Sequence, residues 1–202
     1  MSNYTVTADF DGTLFDPNLR SLLAWSYNIK TSRLLTKHNI PFILNTGRPV
    51  WVHFSDLQIA VTGTKKPDVV IHGAGTKIVW LKGNAYELDA EWEKRMEDAH
   101  WDKQNVINIL TPLLSKHHAQ LFDTHSPFMT RIWIYKTPVS HLKNMVEEFQ
   151  KKLPGTKILR TEQILLPNTN NVFSGYLLFI PSIAGKEVGL KYILDKLQQR
   201  SK

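Results

Sequence analysis

Residues 4 to 15, Tyr-Thr-Val-Thr-Ala-Asp-Phe-Asp-Gly-Thr-Leu-Phe, constrain the fold more than any other stretch of the chain. A run of β-forming residues ends in Asp9 and Asp11, and Gly12 follows at once. Alternate residues of a strand share a face and glycine favours a sharp turn, so we expect both carboxylates at the tip of a strand. One carboxylate there can attack phosphorus while the other transfers the proton, and the pair can attract a hard cation such as Mg2+.

Two other interpretations of this stretch have to be weighed. A helix-loop-helix calcium loop fails, because the glycine comes too early and Pro17 falls inside the loop. An ordinary strand-to-turn transition, in which aspartate and glycine are common, stays open on these residues alone.

A second informative stretch follows a short apolar run, Phe42-Ile43-Leu44, which is typical of a buried strand. This run ends in Asn-Thr-Gly-Arg-Pro at 45–49, and residues 50–59 are predicted to form a helix. The Thr46 hydroxyl and the Gly47 amide can form an anion cradle at this junction, and Arg48 can add a forked contact to phosphate. The alternative is a plain Thr-Gly turn. The cradle is favoured because the junction closes the second strand of a strand-helix-strand unit, beside Asp9 at the edge where such folds bind ligands.

The third stretch is Gly185-Lys186-Glu187, which begins a helix predicted to run through Leu197. A lysine in the first turn of a helix opposes the helix dipole, which favours an anionic partner for Lys186. A solvated lysine stays open as the alternative on these residues alone. Between the second and third stretches, the sequence predicts strands at 68–71 and 77–80, joined by a flexible Gly-rich turn at 72–76.

These three stretches resemble, in order, the first three motifs of the haloacid dehalogenase-like hydrolases. Residues 67–78, together with the Asn-Thr-Gly-Arg-Pro upstream, are most similar to the sucrose-phosphate phosphatase branch. The resemblance implies a magnesium-dependent phosphomonoester hydrolase with an aspartyl-phosphate mechanism, acting on a sugar phosphate such as sucrose phosphate. The implied roles are the nucleophile Asp9, the general acid/base Asp11, the charge-neutralising Lys186, the substrate or phosphate contacts Thr46, Gly47, Arg48 and Gly12, and Mg2+ held by the Asp9 side chain and the Asp11 backbone carbonyl.

The resemblance also implies the architecture. We expect an α/β fold with a Rossmann-like three-layer core, formed by residues 1–82 and 181–202. An α+β cap, inserted as residues 83–180, is expected to carry the sugar specificity. Helices that alternate with strands across that segment favour the same interpretation.

The sequence departs from the family pattern at its end, because no acidic motif follows the last helix before Lys202. On this basis we expect a core that is incomplete at the C-terminus and a metal site that lacks ligands. The opening strand would become an edge, open to self-association. A non-catalytic remnant or phosphate-binding module is therefore the alternative to an active enzyme.

Composition argues against several other classes of function. The chain carries a net charge of +7, but its basic residues are scattered, so nucleic acid is not an expected partner. It has no cysteine, no secretory signal and no apolar run of bilayer length, which favours a cytoplasmic protein without a membrane partner. Four polar residues, His117, His118, Asp123 and His125, are interpreted as surface groups rather than a metal site.

Overall fold

The computed structural model describes residues 4–10, 22–48, 65–122, 124–162 and 172–199. The chain divides into two compact units. The first unit comprises Met1–Arg95 and Gly185–Lys202, and the second comprises Met96–Ala184. The sequence predicted boundaries after residues 82 and 180. The structure divides the chain slightly later in each case, after Arg95 and after Ala184.

The first unit contains a five-stranded sheet in the order β1-β2-β3-β4-β5. Its strands are β1 (Val6–Ala8), β2 (Phe42–Asn45), β3 (Val69–His72), β4 (Lys77–Lys82) and β5 (Ala85–Leu88). The β1–β2 and β2–β3 pairs are parallel, and the other two pairs are antiparallel. Every residue of β2 and β3 is buried, as expected for strands that are covered on both faces. The predicted α/β class is confirmed.

The sheet places the ends of β1 and β2 side by side, with Ala8 in register with Leu44. Among the described residues, β1 pairs with β2 alone, so it forms an edge of that part of the sheet. The core of the unit includes Phe10, Leu44, Val70 and Val79. The residue after each parallel strand therefore emerges at one edge of a buried sheet.

The described part of the first unit contains the whole of α1 (Leu22–Lys37) and α5 (Lys186–Gln199), and α2 (Ala90–Asp98) begins there. The helix α1 runs without a break over 16 residues. The backbone leaves α1 through Asn39, at a positive φ of 49°, and Pro41 then precedes β2. Proline disfavours helix and so helps to stop α1 before the strand.

The predicted flexible turn after β3 is instead a buried 3-10 turn, Gly73–Gly75. Its residues are all buried, and Ala74 has a positive φ of 55°. The Gly73 and Ala74 amides donate to the carbonyl oxygens of Arg48 and Thr46, at 2.8 and 3.1 Å. These bonds fix the turn, so the interpretation as a flexible loop was wrong.

The second unit contains a four-stranded antiparallel sheet in the order β6-β7-β9-β8. Its elements are α3 (Lys103–Lys116), β6 (Ala119–Phe122), β7 (Thr130–Pro138), α4 (Val139–Lys152), β8 (Thr156–Glu162) and β9 (Val172–Pro181). Asp102 caps α3 by accepting the amides of Gln104 and Asn105. The core of the unit combines apolar side chains of β7 and β9 with those of the two helices, among them Ile132, Ile134, Leu177, Phe179, Leu110, Met145 and Phe149.

One histidine of the predicted surface group proves to be buried. His117 follows α3 and is 3% exposed, and its ring contacts the Phe149 ring edge-on at 5.6 Å. His118 and His125 are exposed, whereas Asp123 lies outside the described residues. The surface interpretation was therefore wrong for His117, because the end of α3 turns this ring into the apolar core.

None of the helices in the described part of the chain combines the length and apolar character needed to cross a bilayer.

Candidate active site

Asp9 and Lys186 form the centre of the candidate site. Asp9 follows β1 directly, and Lys186 is the first residue of α5. The Lys186 ammonium donates to Asp9 Oδ2 at 2.7 Å, and the Phe10 amide donates to Oδ1 at 2.7 Å. Both charged side chains remain partly exposed, 37% for Lys186 and 44% for Asp9, so the pair is accessible to a ligand. The expected anionic partner of Lys186 is the Asp9 carboxylate.

The Thr46-Gly47-Arg48 segment forms a turn after β2, next to the end of β1. Thr46 is fully buried, and its hydroxyl oxygen accepts the Arg48 amide at 3.1 Å, which leaves the hydroxyl hydrogen as a donor. Gly47 has open space at the position of a Cβ atom. The Arg48 guanidinium lies 4.9 Å from the centre of the buried Phe10 ring, beside Asp9 in sequence. The turn thus brings a hydroxyl and a cation to the same sheet edge as Asp9.

Two glycines allow α5 to start close to the 3-10 turn. A Cβ atom at Gly75 would lie 2.1 Å from the Gly185 carbonyl oxygen, and Gly75 has a positive φ of 91°. Further along α5, a Cβ atom at Gly189 would lie 3.0 Å from Ile71 Cγ2. The N-terminal turn of α5 is therefore pressed against β3 and the turn that follows it.

Asn45 adds a polar contact at the same place. Its side-chain amide donates from Nδ2 to the Lys186 carbonyl oxygen at 3.0 Å, across 141 residues of sequence. Asn45 is 8% exposed, and its Oδ1 has no hydrogen-bond partner among the described residues. The end of β2 is thus bonded to the first residue of α5.

A buried carboxylate holds α5 further along its length. Asp89 accepts hydrogen bonds from Trp80 Nε1 at 2.6 Å, from Tyr192 Oη at 2.8 Å and from Lys196 Nζ at 2.9 Å. Burial by itself raises the pKa of Asp89, but the hydrogen bonds from Lys196, Trp80, the Trp92 amide and Tyr192 lower it below its ordinary value. Burial also raises the pKa of Tyr192 to about 12. The ionised Asp89 therefore ties α5 to β4 and to the start of α2.

The structure brings together four of the predicted site residues, Asp9, Thr46, Arg48 and Lys186, with Gly47 in the same turn. Asp11, Gly12 and the predicted helix at 50–59 lie outside the described residues. The functional roles of all these residues remain predictions.

Sequence reasoning missed Asn45 and the Asp89 network. Asn45 stood in the motif that was singled out, but nothing in its neighbourhood indicated a bond to a residue 141 positions away. The signal for Asp89 was a lone aspartate between a strand and a helix, which is equally typical of an ordinary helix cap.

Comparison with solved structures places the fold among known phosphatases. The sucrose-phosphatase from Synechocystis, solved in complex with sucrose and phosphate, aligns with a TM-score of 0.71 at 13% identity. The alignment covers 98% of this chain and 72% of that protein. A haloacid dehalogenase-like hydrolase from Bacillus subtilis aligns with a TM-score of 0.59 at 18% identity, covering 96% of this chain and 70% of that one. The IMP-nucleotidase of Plasmodium falciparum gives a TM-score of 0.57 at 18% identity, with 97% of this chain and 56% of that one covered.

No curated protein matched the chain. The model of the sucrose-6F-phosphate phosphohydrolase family matches residues 3–202, which is nearly the whole sequence. The chain therefore belongs to the sucrose-6F-phosphate phosphohydrolase family and has the fold of the haloacid dehalogenase-like hydrolases.

Proposed function

We propose that the protein is a magnesium-dependent phosphomonoester hydrolase that acts on a sugar phosphate such as sucrose phosphate, in the cytoplasm. The observation that carries the proposal is the 2.7 Å contact between the Lys186 ammonium and the Asp9 carboxylate at the end of β1. A cation at this distance reduces the repulsion between an anionic nucleophile and an anionic phosphate. The family match and the sucrose-phosphatase fold favour the same function.

The proposed reaction begins with attack of an Asp9 oxygen on the phosphorus atom of the substrate. The bond from phosphorus to the sugar oxygen breaks, and Asp11 protonates that oxygen as it leaves. Water, deprotonated by Asp11, then attacks phosphorus, so that the bond to Asp9 breaks and inorganic phosphate is released. Thr46, Gly47 and Gly12 would contact the phosphate through hydroxyl or amide hydrogens, while Arg48 and Lys186 would offset its charge.

Haloacid dehalogenase-like phosphatases generally use Mg2+. The Asp9 carboxylate suits that ion, because it is a hard oxygen ligand and is partly exposed. Each of its oxygens accepts one hydrogen bond, from Phe10 or Lys186, and a carboxylate offers about four lone-pair sites in all. The Asp11 backbone carbonyl would be the second protein ligand. When bound, the ion would offset negative charge on the transferring phosphoryl group.

The described residues contain no cluster of three or more histidine or acidic side chains that could hold a metal ion. A magnesium ion bound through one carboxylate and one carbonyl would keep several waters and depend on the substrate phosphate for another ligand. The proposal therefore predicts weak binding of Mg2+ in the absence of substrate.

We propose that the second unit is the cap that carries sugar specificity. One face of its sheet packs on α3 and α4, and the other presents the rings of Phe122, Trp133 and Tyr176. The Arg131 guanidinium lies 4.4 Å from the Tyr176 ring centre, and Trp133 and Tyr176 are 4.6 Å apart. Sugar rings present C–H faces that pack on aromatic rings, so this surface suits a sugar.

The sequence also predicted self-association through the β1 edge. Similarity to known proteins lends that expectation no support, and we do not propose it.

Asp9→Asn tests the chemistry. Because an amide is a poor nucleophile, the substitution should lower phosphate release from sucrose 6-phosphate by about 1000-fold or more. Release by the wild type should require Mg2+. Release without added metal in the presence of a chelator, or release unaffected by the substitution, would contradict the mechanism. Wild-type protein that binds inorganic phosphate but releases none from any sugar phosphate would instead indicate the non-catalytic binding module.

Trp133→Ala tests the sugar contact. The variant should raise KM for a sugar phosphate by about tenfold, because it removes a stacking ring, and should leave KM for acetyl phosphate nearly unchanged. Tyr135→Ala is the matched control, since Tyr135 is a 57% exposed ring on the same strand, outside the aromatic cluster. Equal changes for both substrates would show that Trp133 does not read the sugar.

A further inference from the structure

The side chain of Asn45 has an unusual environment for the end of a buried strand. The three residues before it in β2 are apolar and buried, and Asn45 is itself only 8% exposed. Its Nδ2 donates to the Lys186 carbonyl oxygen, while its Oδ1 has no hydrogen-bond partner in the described part of the chain. A buried polar atom without a partner lowers stability, so an apolar residue would suit the fold better at this position.

Within the described residues, the side-chain hydrogen bond that Asn45 makes is directed at a residue of the candidate site. Its acceptor is the main chain of Lys186, and the side chain of the same residue donates to Asp9 at 2.7 Å. The residue after Asn45 is Thr46, another member of the site. A carbonyl oxygen has two lone pairs, so Lys186 can accept this bond without giving up its helical one.

The Asp89 network does not replace this contact. It binds α5 at Tyr192 and Lys196, and Lys196 lies ten residues beyond Lys186, about 15 Å along a helix. Near Lys186 itself the backbone passes through Gly185, at a positive φ of 152°, where rotation is least restricted. A hydrogen bond at the first residue of α5 therefore adds a directional restraint on where the lysine side chain begins, beside the close packing of Gly185 and Gly189.

We propose that Asn45 is a positioning residue, whose amide fixes the start of α5 so that the Lys186 ammonium meets Asp9. This role rests on the proposed phosphatase function, in which Lys186 offsets the charge of the nucleophile and the phosphate. Asn45 does not contact the reacting atoms in this scheme and acts only through Lys186.

A double-mutant cycle with Lys186→Met tests the role, because residues that act through one another give non-additive effects. Asn45→Ala should lower kcat for phosphate release by about 10- to 100-fold, the order expected when a catalytic group is displaced by about 1 Å. The same substitution should weaken inorganic phosphate binding, measured by calorimetry, by about fivefold, through loss of a charge-assisted contact. In the Lys186→Met background, each of these changes should fall below about twofold, because the group being positioned is gone.

Tyr86→Phe is the matched control. It removes the hydrogen bond from Tyr86 Oη to the Pro67 carbonyl oxygen, 2.9 Å long, in the same sheet and away from Lys186. This variant should leave kcat and phosphate binding unchanged. If Asn45→Ala does not fold, Asn45→Ser serves instead, because its shorter hydroxyl cannot reach the Lys186 carbonyl from the same position.

Equal losses from Asn45→Ala in the wild-type and Lys186→Met backgrounds would overturn the positioning role, since the residue would then act independently of Lys186. The two proposals can fail separately. If the wild type releases no phosphate, the proposed function fails, while the cycle in phosphate binding still decides whether Asn45 acts through Lys186.

Discussion

His117 shows how the position of one residue decides its chemistry. Its Nδ1 lies 3.1 Å from His141 Nε2, and its Nε2 lies 3.2 Å from Glu148 Oε2, which also accepts Lys116 at 2.7 Å. Burial disfavours the charged imidazolium and lowers the pKa of His117, and the Glu148 carboxylate opposes this only in part. The hydrogen bond and charge of Lys116 lower the pKa of Glu148. The cluster is built around a neutral histidine.

This arrangement predicts a loss of stability as the pH falls. The pKa of His117 is lower in the folded protein, so the unfolded chain binds the proton more readily. The contribution is fully present above the ordinary histidine pKa, about 6.5, and is lost as the pH falls towards the folded value. Urea unfolding should show the free energy decreasing below pH 6.5, by up to about 1.4 kcal/mol per pH unit. His117→Gln should reduce this dependence, whereas the exposed His38→Gln should not.

Among individual residues, the sequence predicted the members of the site that lie at the end of a strand or at the start of a helix. Asp9 and Lys186 are 177 residues apart, but the expected parallel strands and the helix starting after Gly185 brought them to one edge. Asn45 and His117 were not predictable in the same way. Their environments depend on which side chains pack around them, and no local pattern encodes that information.

Among the elements, the start of α5 depends on backbone contact that only glycine permits. Gly75 and Gly185 approach so closely that a side chain at Gly75 would overlap the Gly185 carbonyl oxygen. The backbone amides of the 3-10 turn Gly73–Gly75 donate hydrogen bonds to the carbonyl oxygens of Thr46 and Arg48. Displacement of this turn would therefore disturb both the Thr46-Gly47-Arg48 segment and the residue that precedes Lys186.

Gly75→Ala tests this contact against a control with a similar backbone. Gly83 also has a positive φ, 61°, but it has open space at the Cβ position. Gly83→Ala should cost about 1 kcal/mol of unfolding free energy from backbone strain alone. Gly75→Ala should cost about 3 kcal/mol or more, because steric overlap is added to that strain. Equal losses in urea unfolding would show that the close approach does not matter.

Many helices and strands were predictable, because the spacing of apolar residues and the positions of glycine and proline determine them locally. The strands expected at 68–71 and 77–80 and the helix expected to begin at Gly185-Lys186-Glu187 correspond to Val69–His72, Lys77–Lys82 and Lys186–Gln199. The assignment of β5 was not predictable, since its burial pattern is mostly exposed. It joins the first sheet through a hairpin with β4, in which Lys82 pairs with Ala85, so its position follows from that pairing and not from an apolar pattern of residues 85–88.

In the molecule as a whole, the two units differ in the number of chain segments that form them. The second unit is one continuous segment, Met96–Ala184, whose described residues form a sheet, the helices α3 and α4 and a core of buried apolar side chains. The first unit is assembled from two separate segments, and its C-terminal part contributes α5, whose Lys186 and Lys196 pair with Asp9 and Asp89. Only the second unit therefore has a core that a single continuous segment can complete.

We expect a fragment of residues 96–184 to fold by itself, because domains with their own apolar core generally do so. Circular dichroism and NMR should show cooperative unfolding of this fragment in urea. Phe149, which is fully buried and contacts Phe179 at 5.7 Å, should be essential, so that Phe149→Ala costs about 3 to 5 kcal/mol and abolishes the fold of the fragment. Val139→Ala, on the same helix but 43% exposed, should have little effect. A fragment that stays disordered, while the full chain folds, would mean that the second unit needs the first for its stability and that the two cores are not independent.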